Sequence, residues 1–342
     1  MTSSPRPAPI DARRALRLLR AGAVAGMFLY TSALAADQPL ILEAKIPLGE
    51  VAGRIDHLAF DPGRNRLYVA ELGNDTVGII DLHDRHVLRT VTGFHEPQGI
   101  AYEPSTDVVF VANGGNGIVQ IFRGDDFTTL ASIDLGDDAD NVRIDPTARR
   151  VYVGYGDGAL AVIDSLTRNR LTDIRLDAHP EGFQLDPAGT SIFVNVPDAG
   201  HVALVDRETT RQLATWKTGH LEANFPLAVD RNKGRVIAVF RQPARLQAYD
   251  MTSGRSLASA DVCGDADDVF LDAKRRRVYV ICGTGQVDTL AASGDSFTRI
   301  GRLATSPGAR TGLYIASLDR LIVAVRSAAN EKTALWILRP VP

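Results

Sequence analysis

The chain has 342 residues, 45% of them hydrophobic and 23% charged, a make-up that fits a folded protein and excludes bulk disorder. Formal charge is −3; the first 35 residues hold five Arg against Asp11 alone, a surplus of four, so the remainder stands at −7. An acidic body of this kind argues against a nucleic-acid backbone as partner and favours cations or basic partners.

The N-terminus reads as a secretory signal over residues 1–35. Basic residues end at Arg20, an apolar stretch runs from Ala21 to Leu34, and Ala33-Leu34-Ala35 is a small-x-small cleavage site. The apolar stretch is short for a bilayer span, so cleavage rather than a retained anchor is expected. Arg13-Arg14 leaves twin-arginine export open. The expected location is periplasmic or secreted, with residues 36–342 as one domain.

Internal repetition dominates that body. Ile55 to Leu82 contains a short strand ending in Asp61-Pro62, a tight turn, the strand Leu67-Tyr68-Val69-Ala70, a polar loop, and a strand Val77-Gly78-Ile79-Ile80 closed by Asp81. Taking the strand-ending acid as a marker gives Asp61, Glu103, Asp145, Asp186, Asp230 and Asp272, in steps of 42, 42, 41, 44 and 42 residues. A degenerate seventh unit has Ala316 at the marker and Leu321-Ile322-Val323-Ala324 as its second strand. Units of this length with four strand signals separated by Gly, Asp, Asn or Pro are β-propeller blades. The predicted fold is therefore all-β, a seven-bladed propeller of four-stranded blades.

The chain ends supply the closure. Ile41 to Gly49 reads like a fourth strand, and Thr333 to Leu338 is a third strand with no fourth after it. The N-terminal strand is predicted to complete the last blade and so pair an otherwise open edge. Cys263 and Cys282 fall on the same side of one unit. In an oxidising compartment that placement points to a disulfide, with two buried thiols as the alternative.

The pattern resembles the YVTN-repeat, YncE-like family of exported seven-bladed propellers over about Ile41 to Leu338. The resemblance is carried by Arg66-Leu67-Tyr68-Val69, Arg150-Val151-Tyr152-Val153, Arg277-Val278-Tyr279-Val280 and Val111-Ala112-Asn113. These are core strands and turns, so they speak to fold. The resemblance implies a binding platform, and propellers as a class also host hydrolases and electron-transfer subunits.

In such a ring the first strand of each blade lines the central channel. The residue five before each marker should converge there: Asp56, Gln98, Asp140, Glu181, Phe225 beside Asn224, Asp267, and Thr311 beside Arg310. Four of the seven are acids and none is basic. His57, Asn141 and Asp268 adjoin them, and His179 lies just upstream of Glu181. The expected ligand-binding set is thus Asp56, His57, Gln98, Asp140, Asn141, Glu181, Asn224, Asp267, Asp268 and Arg310. A polar, acidic funnel of this kind suits a cation or a hydroxylated ligand. Asp56, Asp140, Glu181 and Asp267 would be the metal ligands, most simply for Ca²⁺ or Mg²⁺, with a His shifting the choice toward a transition metal. The competing reading is that each residue bonds the neighbouring blade and staples the ring.

Other motifs carry less. The Asp-Pro markers read as turn chemistry on the opposite face. Lys274-Arg275-Arg276-Arg277 reads as a solvated hairpin tip, and Asn113 to Gly117 joins two strands without opening a phosphate-binding helix. Asp137 to Asn141 lacks the Gly and terminal Glu of an EF-hand. GxSxG, P-loop, HExxH and CxxCH are all absent from the sequence. Three functions follow. The leading expectation is a non-enzymatic, monomeric binding protein for a small ligand or a periplasmic protein. The second is a metal-dependent lactone or ester hydrolase with His57 or His179 as base and Asn141 or Asn224 helping to hold the cation. The third is an accessory subunit of a periplasmic redox system.

Overall fold

A computed structural model describes residues 38–328 and 331–342; the predicted signal sequence and its cleavage site lie outside the described residues. Residues Asp37–Pro342 form one compact unit. Seven four-stranded antiparallel sheets follow one another around a ring. Six are consecutive in sequence: residues 58–92, 97–134, 139–175, 183–217, 222–261 and 266–304. They are called blades 1 to 6. Blade 7 takes three strands from residues 312–340 and its fourth from Leu40–Pro47.

Burial follows each strand's place in its blade. Second strands such as Arg66–Glu71, Val108–Asn113 and Arg277–Cys282 are buried on both faces, because each blade is sandwiched between two others. Outer strands such as His86–Thr92 and Thr129–Asp134 are mostly exposed. The core is accordingly a set of layers between blades. In one of these layers Val108, Phe110 and Ile121 of blade 2 meet Val142, Val151 and Ile163 of blade 3.

Closure follows the prediction. Leu40–Pro47 runs antiparallel to Ala334–Pro340, from Leu40 opposite Pro340 to Pro47 opposite Ala334. Its inward residues Leu40 and Ile46 are buried, and Ile46 joins one cluster with Ile55 just ahead of blade 1, Leu58 and Leu67 of blade 1, and Ile322 and Leu335 of blade 7. Beyond the strand, the Leu48 amide donates to the Thr333 carbonyl at 3.1 Å and Thr333 Oγ1 donates to the Val51 carbonyl at 2.7 Å. Cys263 and Cys282 are bridged, with Cα atoms 5.8 Å apart.

The marker acids make the predicted turns. Asp61 Oδ1 accepts from the Gly63 and Arg64 amides at 2.8 and 3.1 Å, and Glu103 does the same for Ser105 and Thr106. A second role was not legible in the repeat. An arginine beside several of these turns crosses to an acid of an adjoining blade: Arg64 to Asp107 at 2.7 and 2.8 Å, Arg231 to Asp186 at 3.0 Å, and Arg275 to Asp319 at 2.7 Å. The basic run at residues 274–277 is therefore largely engaged rather than merely solvated. Lys274 and Arg275 both pair with Asp319, and Arg277 donates to the Val341 carbonyl.

Candidate functional site

The first strands meet at the channel through a distortion that recurs. Register slips by a bulge between Pro97 and Ile100, Ala139 and Val142, Asn224 and Leu227, and Ala266 and Asp268. A left-handed residue stands just ahead of, or at the start of, each bulge: Glu96, Asp138, Ala223 and Asp265. Bulges free a backbone segment from its ladder and re-aim its side chains. Here they turn Asp140, Phe225 and Asp267 toward the axis. Gly182 lets the strands approach closely: its amide donates to the Phe225 carbonyl at 3.0 Å, and an added Cβ would lie 2.4 Å from that same oxygen.

A throat of about 40 Å³ results, lined by Asp56, His57, Asp140, Asn141, Glu181, Asp267 and Asp268, with Arg54, Arg143 and Phe225 among them. It is large enough for a few water molecules or one small charged head. Glu181 and Phe225 also form part of the wall of a wider basin of about 590 Å³ between blades 4 and 5. That basin has the volume of a small-molecule site.

The sequence placed most of the acids in the throat and missed the cations that face them. Arg54 Nη2 lies 2.8 Å from Asp56 Oδ2 and 3.8 Å from Asp267 Oδ2. Arg241, from the second strand of blade 5, reaches Asp267 Oδ1 at 2.6 Å and Asp265 Oδ1 at 3.3 Å, and its guanidinium stacks 3.6 Å from the Phe225 ring centre. Arg143 donates to the Val142 carbonyl at 2.8 Å. Nothing in the repeat register marks these arginines, because long side chains cross between blades.

Burial and mutual repulsion shape the titration. Burial pushes the Asp140 carboxyl well above the usual range, and the nearby charges of Glu181 and Asp56 push it further. Glu181 is pushed up to about 8, by burial and then by Asp267, despite the opposing pull of Arg241. Asp56 and Asp267 are also raised by burial, partly offset by Arg54 and Arg241. Burial lowers His57 to about 3, helped by the positive charge of Arg143, so its ring is neutral. His57 sits 3.8 Å from Asp56 and 3.9 Å from Asp268, too far for a hydrogen bond to either.

Several expected ligand residues have other work. Asn224 is fully buried and staples blades 4 and 5, donating to Asn195 Oδ1 at 2.9 Å and the His201 carbonyl at 3.1 Å. The bulge turns Asn224 into the blade and its neighbour Phe225 into the channel. Gln98 donates to Asp138 at 3.2 Å and does not line the throat. Arg310 lies behind it, paired to Asp265 at 3.2 Å. Asp268 lines the throat and also accepts the Gly312 amide at 2.7 Å, tying blade 6 to blade 7. His179 stands in the basin wall with Nδ1 2.7 Å from the Gly156 carbonyl, to which it donates.

The four carboxylates expected to hold a cation do not compose a cage. Asp56 and Asp267 are contacted by Arg54 and Arg241, and among the described residues no group of three or more His, Cys, Asp or Glu is arranged to hold a metal ion. Five buried polar atoms around the throat lack a hydrogen-bond partner among the described residues: Arg54 Nε, Asp56 Oδ2, Asn141 Oδ1, Asp267 Oδ2 and Arg310 Nε. Asp56 Oδ2 keeps its 2.8 Å ionic contact with Arg54, but the geometry is not that of a hydrogen bond.

The sequence matches no family model and no curated protein. Among solved structures the chain is similar in fold to one chain of a mitotic checkpoint complex, at TM-score 0.77 and 12% identity over 96% of this chain and 100% of that one. Kuenenia stuttgartiensis hydrazine synthase aligns at TM-score 0.71 and 14% identity over 87% and 96% of the two chains. The RRP9 WD40 repeats align at TM-score 0.75 and 9% identity over 87% and 97%. At these identities the likeness is one of fold, a seven-bladed propeller compatible with a binding or scaffold role.

Proposed function

We propose that this chain is an exported propeller of the YVTN-repeat type that binds a small polar ligand in the basin between blades 4 and 5, with the ligand's polar end in the throat. One observation carries the reading: four buried polar atoms without hydrogen-bond partners, Arg54 Nε, Asp56 Oδ2, Asn141 Oδ1 and Asp267 Oδ2, belong to residues lining a single small cavity. An unpaired buried polar group costs about 1–3 kcal/mol. A cluster of them is what a site complementary to something other than itself looks like. The repeated Arg-Leu/Val-Tyr-Val strands and the basic-apolar-AlaLeuAla N-terminus support the family and the export. The metal-dependent hydrolase reading has less behind it, since two of its four ligands already answer to arginines.

A fragment screen read by amide chemical-shift changes tests the site. Hits are expected to move resonances of Glu181, Phe225 and Leu221. Hits that cluster elsewhere, or a screen without hits, would remove this reading. For export, mass spectrometry of the protein recovered from the producing cell's exterior or periplasm should show a chain starting after Ala35; a chain retaining Met1 would count against it.

A further inference from the structure

The basin has a charge character different from that of the throat. Its wall carries Glu181, Asp198 and Glu222, and among the described residues that form it there is neither Lys nor Arg. None of these three carboxylates has an ion-pair partner among the described residues, whereas the throat acids Asp56 and Asp267 do. The rest of the wall mixes apolar side chains, Pro197, Leu221, Ala223 and Phe225, with the polar His179, Thr218 and Gln242. In the throat, which shares Glu181 and Phe225 with the basin, two acceptors receive no hydrogen bond, one of them, Asp56 Oδ2, in ionic contact with Arg54 at 2.8 Å. Asn141 is 3% exposed with a free Oδ1, and Asp56 is 1% exposed with an Oδ2 that receives no hydrogen bond. Both line the throat with Glu181.

We propose that the ligand is an organic ammonium ion with an apolar body, its head held at the throat by Glu181 and Asn141 and its hydrocarbon lying against Phe225 and Leu221. An ammonium group offers three donors and one positive charge in a volume the throat can hold. It would satisfy the free acceptors and neutralise the unpaired carboxylates together, which a neutral alcohol does only in part. A carboxylate or phosphate would be repelled by Glu181, Asp198 and Glu222. The inference rests on the basin being the binding site.

Affinity should depend on pH through Glu181. Its carboxyl faces Asp267, Asp56 and Asp140, with Arg54 and Arg241 opposing them and His179 in the same basin wall. In the free protein it holds its proton up to about pH 8, and a cation must displace that proton to bind. An alkylammonium stays charged to about pH 10, so affinity should rise between pH 6.5 and 8.5.

Three probes with one body and different heads test this by calorimetry: phenethylamine, phenethyl alcohol and phenylacetate. At pH 8.5 the amine is expected to bind at least about tenfold more tightly than the alcohol, and phenylacetate to give no heat. At pH 6.5 the amine should weaken about tenfold while the alcohol does not change. Glu181→Gln should remove most of the amine's advantage, and the exposed Glu222→Gln should lower it by a smaller factor. Alcohol binding as tightly as amine, phenylacetate binding best, or amine binding unaffected by Glu181→Gln would each overturn the inference while leaving the basin as a binding site. Failure of all three probes overturns it as well; only an accompanying fragment screen without basin hits would remove the binding reading itself.

Discussion

Replacing Ile46 with alanine tests how the ring is held shut. Ile46 is fully buried on the strand that comes from the opposite end of the chain, and it packs into a layer shared by blades 1 and 7. Truncating a buried Ile to Ala costs about 2–5 kcal/mol, as transfer energy plus the cavity left behind. With a guanidinium chloride slope of about 6 kcal/mol/M, reasonable for a chain this long, the unfolding midpoint should fall by about 0.3–0.8 M. Ile41, five residues earlier on the same strand, is 43% exposed. Its change to alanine should cost less than about 0.5 kcal/mol and shift the midpoint by less than about 0.1 M. Tryptophan fluorescence reports the transition well, since Trp336 lies on the strand that pairs with the closing one, directly opposite Lys45. Equal shifts for the two variants, or a shift of less than about 0.1 M for Ile46→Ala, would refute the view that the inner face of this strand closes the ring.

Breaking the Cys263–Cys282 bridge, which spans 19 residues, should cost about 3 kcal/mol through the unfolded chain's regained freedom; the Cys263→Ser/Cys282→Ser double variant measured by denaturation checks it. Arg275→Ala should cost about 3 kcal/mol, because it removes the ion-pair partner of the buried Asp272 carboxylate, leaving it the Tyr279 hydroxyl and the amide of residue 275. Lys274→Ala, at an exposed position in the same turn, should cost less than about 1 kcal/mol in the same assay. Glu181→Gln should stabilise the protein increasingly as pH rises. The Glu181 folded-state pKa is raised from the ordinary 4.5 to about 8, so the native state binds the extra proton between those values and wild-type stability declines across that window. The gap between variant and wild-type melting temperatures should be small near pH 4.5 and widest above pH 8; a gap that does not change with pH would contradict this. Gly182→Ala should lower the melting temperature by several degrees, because its Cβ would meet the Phe225 carbonyl at 2.4 Å.

The repeat made the fold legible because each blade spells its strands in the same order, and the marker acids gave the phase. Phase alone carried Asp56, Asp140, Glu181 and Asp267 to one throat, although they are separated by up to 211 positions in the chain. It failed in two ways. The bulge at Asn224 shifts alternation by one residue, which buries the Asn and presents Phe225, and sequence patterning does not show where a bulge falls. Arg54, Arg143 and Arg241 occupy different places relative to their blades, so no recurring spacing reveals that all three approach one cluster of acids: Arg54 at Asp56, Arg241 at Asp267, and Arg143 near Asp268 and Asp140. The acidity of the funnel was therefore overestimated, while Asp198 of the basin, in the turn at residues 197–199 outside the register, went unnoticed.

The first and last strands of the described chain lie side by side, with Leu40 opposite Pro340. A short Gly/Ser linker could therefore join the two ends covalently, and new termini could be opened at an exposed turn such as Asp125-Asp126. The seam would then be an ordinary hairpin. A permuted molecule of this kind would separate the contribution of the closing strand's hydrogen bonds from that of its remoteness along the chain.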